Sequence, residues 1–206
     1  MDEYFIGVDP SLTGFAVVTL NQLGAVVRQD SWETSPGQFT CFSARINYLR
    51  ESFCRLLDSF TAGVHVAIEG YSFGSRNGRE LAGGLGELIR WTLWQRKIGF
   101  LEVPPTTLKS FACGVGGAKK EVVLREVFRR WGYVARDNNL ADAYALARLL
   151  WERTFPEFQT AHSCAVLAKL AAQPGAKMRK PPEAPSREPS GATGSSACPL
   201  DSHPRS

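Results

Sequence analysis

The stretch "FIGVDPSLTGFAVVTL", Phe5 to Leu20, decides how the rest of the chain is read. A β-branched apolar run ends in Asp9, turns through Pro-Ser-Leu-Thr-Gly, and resumes as a second apolar run. That is the pattern of two strands joined by a tight turn. An unpaired carboxylate at the end of a buried strand is expensive. Either Asp9 only starts the turn, or it holds something that makes its charge worthwhile.

Outward from this hairpin, "GAVVRQD" reads as a third strand after the turn-like Asn-Gln-Leu-Gly. Phe42, Ile46, Leu49, Phe53, Leu56 and Phe60 recur at spacings of four and three, which predicts an amphipathic helix. "VHVAIE" (64–69) is a fourth strand that again ends in an acid, Glu69. "ELAGGLGELIRWTLWQRK" carries Leu81, Leu85, Leu88, Ile89 and Leu93 at helical spacing. Its Gly83, Gly84 and Gly86 weaken a helix and suggest close approach by a neighbouring element or a second subunit. "GFLEV" is a fifth strand stopped by Pro104-Pro105, and "KKEVVLREVFRRW" and "LADAYALARLLW" are the last two helices of the folded part. The order βββ-α-β-α-β-α-α predicts an α/β domain with helices packed on a mixed sheet.

The expected organisation is a folded domain over 1–155, a short C-terminal helix over 156–172 and a disordered tail over 173–206. The tail holds seven of the chain's twelve prolines and almost no large apolar residues, so it cannot offset the entropy of ordering. The composition, 44% hydrophobic and 21% charged, is that of a soluble globular protein. No apolar run reaches the roughly 20 residues of a membrane span, and "MDEYF" lacks the basic opening of a signal peptide. A cytoplasmic protein without a membrane partner is expected. The five cysteines are odd in number and include no Cys-x-x-Cys pair, which suits reduced thiols and argues against a zinc site. A net charge of +4 permits a nucleic-acid partner without demanding one.

The chemistry gathers at element ends. Ligand sites of α/β sheets lie beyond the carboxyl ends of strands, so Asp9 and Glu69 converge if their strands are neighbours. Asp142 near the start of the last helix is a third candidate, and Asn139 shares its helical face. Asp137 just ahead suits a helix N-cap. Carboxylates without histidine or cysteine suit hard cations such as Mg²⁺ or Mn²⁺. Two such ions activate water and stabilise a leaving oxygen in phosphodiester hydrolysis. The loop "SFGSRNGRE" offers Arg76 and Arg79 to a phosphate backbone. Lys119 and Lys120 open a helix, where a bound phosphate would relieve their conflict with the helix dipole. Arg125, Arg129 and Arg130 either extend this basic surface or solubilise it. Trp91, Trp94, Trp131 and Trp151 fall on apolar helical faces, which places them in the core or a dimer interface.

"IGVDPSLTGFAVV", "VAIEGYSFG", "VPPTTLKSFACGVGGAKKEVV" and "NNLADAYALA", in this order between Phe5 and Leu150, resemble the RuvC-type Holliday junction resolvases of the RNase H-like (integrase) superfamily. The form is most similar to phage-encoded and phage-derived members. The resemblance implies an RNase H-like mixed five-stranded sheet, three antiparallel strands first and then parallel ones, flanked by helices. It implies a homodimeric endonuclease, with two Mg²⁺ per site (Mn²⁺ substituting), that nicks opposing strands of four-way DNA junctions and leaves 5′-phosphate ends. A branch-migration helicase or phage replication proteins are implied as partners. By position, Asp9, Glu69 and Asp142 match the catalytic acids, and Lys109 and Lys120 the lysines near the scissile phosphate or gripping DNA. Tyr71 or Phe73 resembles the aromatic that wedges open the junction centre. The family's Asp-x-x-Asp is departed from at Asn139, which keeps an oxygen ligand but removes one negative charge, for which Asp137 is a candidate to compensate. Three other readings stay open: a broader nuclease of flaps and forks, a catalytically impaired junction-binding protein, and an actin- or sugar-kinase-like ATP-binding protein. The last lacks room for its second domain.

Overall fold

A computed structural model describes residues 2–61, 63–70, 79–173 and 178–179. Three strands come first: β1 (Tyr4–Asp9), β2 (Gly14–Asn21) and β3 (Val26–Glu33). Helix α1 (Phe42–Asp58), β4 (Val64–Glu69), α2 (Arg79–Gln95) and β5 (Phe100–Val103) follow. Four helices complete the described chain: α3 (Pro105–Cys113), α4 (Lys120–Trp131), α5 (Asn138–Thr154) and α6 (Ala161–Ala171). The strands form one sheet in the order β3-β2-β1-β4-β5. β1–β2 and β2–β3 are antiparallel, and β1–β4 and β4–β5 are parallel. The expected mixed sheet, with its three antiparallel strands first, is therefore the observed one.

Strand alternation divides the core in two. Phe5, Ala16, Val18, Leu20, Ala67, Leu101 and Val103 face a cluster built on α3, α4, α5 and α6. Ile6, Val8, Phe15, Val17, Val66, Ile68 and Phe100 face α1 and α2. β1 and β2 are apolar almost throughout because both of their faces are covered. α5 is the central helix of its layer, with twelve of its residues buried from Leu140 to Glu152. Its alanines let it lie close against the sheet. At Gly7 the approach leaves no space for a side chain: an added Cβ would stand 2.5 Å from the Ala147 backbone nitrogen and would collide with the Ala143 carbonyl.

The sequence did not predict α3. Pro104-Pro105 reads as the end of a strand, but Pro105 sits at the first position of a helix, where its missing N–H costs nothing. α3 has only nine residues and closes on Gly114, whose φ of 80° is left-handed. Its buried Leu108, Phe111 and Ala112 are too few to display a period. α6 falls within the span expected for a C-terminal helix, and its Thr160 cap accepts the Ser163 N–H. Of the expected tail, all but Gln173, Met178 and Arg179 lies outside the described residues.

Trp151 is buried and Trp131 stacks on Phe111, whereas Trp91 and Trp94 lie one helical turn apart on α2 and are 46% and 48% exposed, so of the two expected places the core is excluded for them and the interface is not. At Gly84 no described element of this chain approaches closely: a Cβ there would reach the Phe42 ring at an ordinary 3.7 Å.

Candidate active site

β1 and β4 run parallel in the register Gly7↔Ala67 and Val8↔Ile68. One step further, Asp9 and Glu69 stand side by side at the carboxyl ends of adjacent strands, which lie about 5 Å apart. Both continue the alternation of Phe5 and Ala67, so both side chains point to the α5 side of the sheet. α5 is docked by Ala143 on Gly7 of β1. Asp142, the residue before, is thereby delivered to the same rim and is 6% exposed. Asn139, one turn earlier, lies against Gly14 at the start of β2; a Cβ on Gly14 would collide with its amide nitrogen. Two glycines thus seat the helix on the two strands that flank the first acid.

These groups lie within electrostatic range of one another. Burial, then repulsion from Glu69 and Asp142, pushes the Asp9 carboxyl far above its usual range. Burial and the Asp142 charge raise Glu69 to about 7, against the pull of Lys120 and Lys109. Burial raises Asp142 to about 6, against the same two lysines. Lys120 is the first residue of α4 and Lys109 lies within α3, so two helices aim a cation each at the acids. Lys119, the exposed N-cap residue of α4, does not figure among the charges acting on them.

Asp137 caps α5 and also adds its negative charge to the field on Asp9. Its Oδ1 accepts the Leu140 N–H at 2.9 Å, and its Oδ2 lies 3.5 Å from Arg136. Asn139, the neutral residue at the family's acidic position, faces the β2 start.

The donor set is all oxygen, with Asp9 and Asp142 buried and Glu69 half-buried, and among the described residues it is acidic in balance, which is the chemistry of a hard divalent cation. Among the described residues no three His, Cys, Asp or Glu side chains form a ready-made cage for one ion. The acids fit such a cation in kind, and they stand in mutual range rather than in contact.

Three residues that support the site had not been singled out for that role. Arg45 of α1, 7% exposed, donates to the Leu12 carbonyl at 2.7 Å, and to the Thr34 hydroxyl and carbonyl, and so ties down the turn after Asp9. Arg90 of α2 donates to the Glu69 carbonyl at 3.1 Å. Arg130, read from sequence as groove or surface, turns inward. It lies over the Trp131 ring at 4.5 Å and caps the Phe111 and Ala112 carbonyls at the end of α3, while His162 bonds the Ser110 carbonyl at 2.8 Å. Together they fix the helix that carries Lys109. A buried arginine in an apolar helical stretch was the available signal for Arg45 and Arg90. Arg125 and Arg129 pair with Glu126 on the exposed side of α4. Tyr71, Phe73 and Arg76 lie outside the described residues, and Arg79 opens α2.

No protein-family model and no curated protein matches the chain. Solved structures do. The Thermus thermophilus RuvC structure matches with a TM-score of 0.60 at 20% identity, over 85% of this chain and 99% of that one. T. thermophilus RuvC in complex with a Holliday junction substrate matches with a TM-score of 0.60 at 19% identity, over 86% and 99%. The chain has the RuvC fold, of the RNase H-like type.

Proposed function

We propose that this protein is a divalent-metal-dependent endonuclease that resolves four-way DNA junctions by paired nicks, working as a homodimer in the cytoplasm. The observation that carries the reading is the convergence of Asp9, Glu69 and Asp142, two buried carboxyls and a half-buried one, offset among the described residues by Lys109 and Lys120, at the rim of a RuvC-fold sheet. A protein that did not bind a cation here would gain stability by replacing an acid with a neutral residue. The solved complex of T. thermophilus RuvC with a junction supports DNA of that shape as the substrate.

In this mechanism Asp9, Glu69 and Asp142 would hold Mg²⁺, or Mn²⁺, through carboxylate oxygens, with the Asn139 amide oxygen as a further donor. A pair of such ions would supply Lewis acidity and lower the pKa of water for phosphodiester hydrolysis that leaves 5′-phosphate ends. Lys120 and Lys109 offset charge that develops on the phosphate. Arg130 and His162 hold α3 so that Lys109 keeps its aim, and Arg45 holds the turn beyond Asp9. Lys119, Arg76 and Arg79 would grip the backbone, with Tyr71 or Phe73 at the junction centre. The exposed Trp91 and Trp94 are the surface we assign to the second subunit, which would set two sites against the two strands of a pseudo-symmetric junction.

The neutral Asn139 favours a second reading, junction binding with impaired cleavage. Nicking of a synthetic four-way junction, a flap and a linear duplex, with Mg²⁺ or EDTA, for wild type and Asp9→Asn, decides. Junction nicking that needs both Mg²⁺ and Asp9 is expected. Tight junction binding without cleavage would select the second reading, and equal cutting of the flap would broaden the substrate class. Cleavage by Asp142→Asn at the wild-type rate would overturn the site.

A further inference from the structure

β5 is the outer strand of the sheet, and on its free edge Phe100 forms an isolated antiparallel bridge with Arg179. The Arg179 N–H donates to the Phe100 carbonyl at 2.8 Å, and the Phe100 N–H donates back to the Arg179 carbonyl at 3.3 Å. Met178 packs against the core on the α5 side. The Arg179 side chain then reaches Glu102 of β5, with a guanidinium nitrogen 2.6 Å from Oε2. The other oxygen of the same carboxylate, Oε1, accepts from Arg90 Nε at 2.5 Å. Arg90 in turn donates to the backbone carbonyl of Glu69. The path from the C-terminal segment to the end of β4 is unbroken, and both oxygens of Glu102 are used in it.

Glu102 pairs in register with Ile68, on the α1–α2 side of the sheet, whereas the Glu69 carboxylate faces α5. The path therefore acts on the Glu69 backbone from behind and leaves the carboxylate free for its task. The Arg90 side chain is 8% exposed and that of Glu102 16%, so their charges depend on each other, while Arg179 is 57% exposed and open to change from solvent. Releasing Arg179 frees one Glu102 oxygen, lets that carboxylate rotate, and loosens the closer of the two acids on Arg90, the other being Glu87 at 3.8 Å. The adjacent Gly70 N–H, bonded to the Val103 carbonyl at 2.8 Å, reports on the same strand ends.

We infer that Arg179 is a positioning residue for Glu69, acting through Glu102 and Arg90, so that docking of the C-terminal segment on the β5 edge tunes the active site. This rests on the reading of Glu69 as a site acid given under Proposed function. The test uses full-length Arg179→Ala, Arg179→Lys, Glu102→Gln and the Arg179→Ala/Glu102→Gln double variant. In metal-free, DNA-free protein, Arg179→Ala should speed hydrogen exchange at the Gly70 amide about tenfold, with Arg179→Lys restoring protection. In junction nicking, Arg179→Ala should lower kcat about tenfold, as loss of an outer supporting partner does, and leave KM for DNA within about twofold. The double variant should be no slower than Glu102→Gln alone, because both act on one path. Unchanged Gly70 exchange, additive losses, or a loss confined to KM would overturn the inference. If wild type nicks no junction, the nuclease reading falls by itself, and Gly70 exchange alone then decides whether the path exists.

Discussion

Replacing Asp142 by asparagine should make the metal-free protein more stable at pH 8 and abolish nicking. Burial lifts the Asp142 carboxyl from an ordinary 3.8 to about 6, despite Lys120 and Lys109. The folded protein therefore keeps this proton at pH values where the unfolded chain has lost it. Stability falls as pH rises between those two values; the penalty is absent below about pH 4 and complete above about pH 6. A shift of about two units, at about 1.4 kcal/mol each, amounts to about 3 kcal/mol. Asparagine has the shape of the protonated acid and never pays this penalty. Its removal of a charge also relieves Asp9 and Glu69, both raised by Asp142. For a chain of this size the gain corresponds to a rise of about 6–12 °C in Tm. Thermal or urea unfolding of wild type and Asp142→Asn in EDTA, at pH 4 and pH 8, measures it. The variant should match wild type at pH 4 and exceed it at pH 8. Equal stability at pH 8, or the same gain at both pH values, would refute the claim that an uncompensated buried charge sits at this position.

The remaining predictions concern the same architecture. Millimolar Mg²⁺ or Mn²⁺ should raise the wild-type midpoint at pH 8, and raise that of Asp142→Asn less, since binding to the folded state alone stabilises it; equal rises would remove Asp142 from the ligand set. Gly7→Ala should cost about 3 kcal/mol or prevent folding, because the new methyl meets the backbone of Ala143 and Ala147 rather than a movable side chain. Urea titration checks it, and a change within about 0.5 kcal/mol would mean that α5 is not seated as described. Trp91→Ser with Trp94→Ser should shift the protein towards monomer in sedimentation while leaving the unfolding midpoint close to wild type, as fits two half-exposed side chains.

The strands were legible because their apolar runs are long and their turns carry Pro, Gly and Asn. The helices α1, α2, α4 and α5 were legible because each shows several turns of apolar spacing. Strand order was not legible: Asp9 and Glu69 each end an apolar run, but only the parallel pairing of β1 with β4 makes them neighbours. Two alternatives for a single residue could not be separated from sequence either. Asp137 suits a cap and a ligand equally in sequence; in the structure the Leu140 N–H lies on its Oδ1 while its charge still acts on Asp9. The supporting arginines were hidden for another reason. Arg45, Arg90 and Arg130 act through backbone carbonyls of other elements, and a carbonyl leaves no trace in the residue type that carries it. The wedge aromatic rests on the resemblance and the grip of Arg76 on the loop's composition, since Tyr71, Phe73 and Arg76 fall outside the described residues.

The seat of α5 on Gly7 also fixes when, during synthesis, the acids can meet. Domains acquire structure as the chain emerges from its N-terminus, and contacts between distant segments form slowly because loop closure must precede them. β1, β2 and β3 can pair early through local turns. β4 comes next and brings Glu69 beside Asp9, yet the side of the sheet that carries both acids stays bare until α5 arrives to cover it. No chain that stops short of α5 contains the three-acid cluster, and such a chain also shows the apolar residues Phe5, Ala16, Val18 and Leu20 to solvent. An interrupted copy of this protein is therefore incompetent for the proposed chemistry and prone to aggregate, and cellular quality control would recognise it by the same uncovered face.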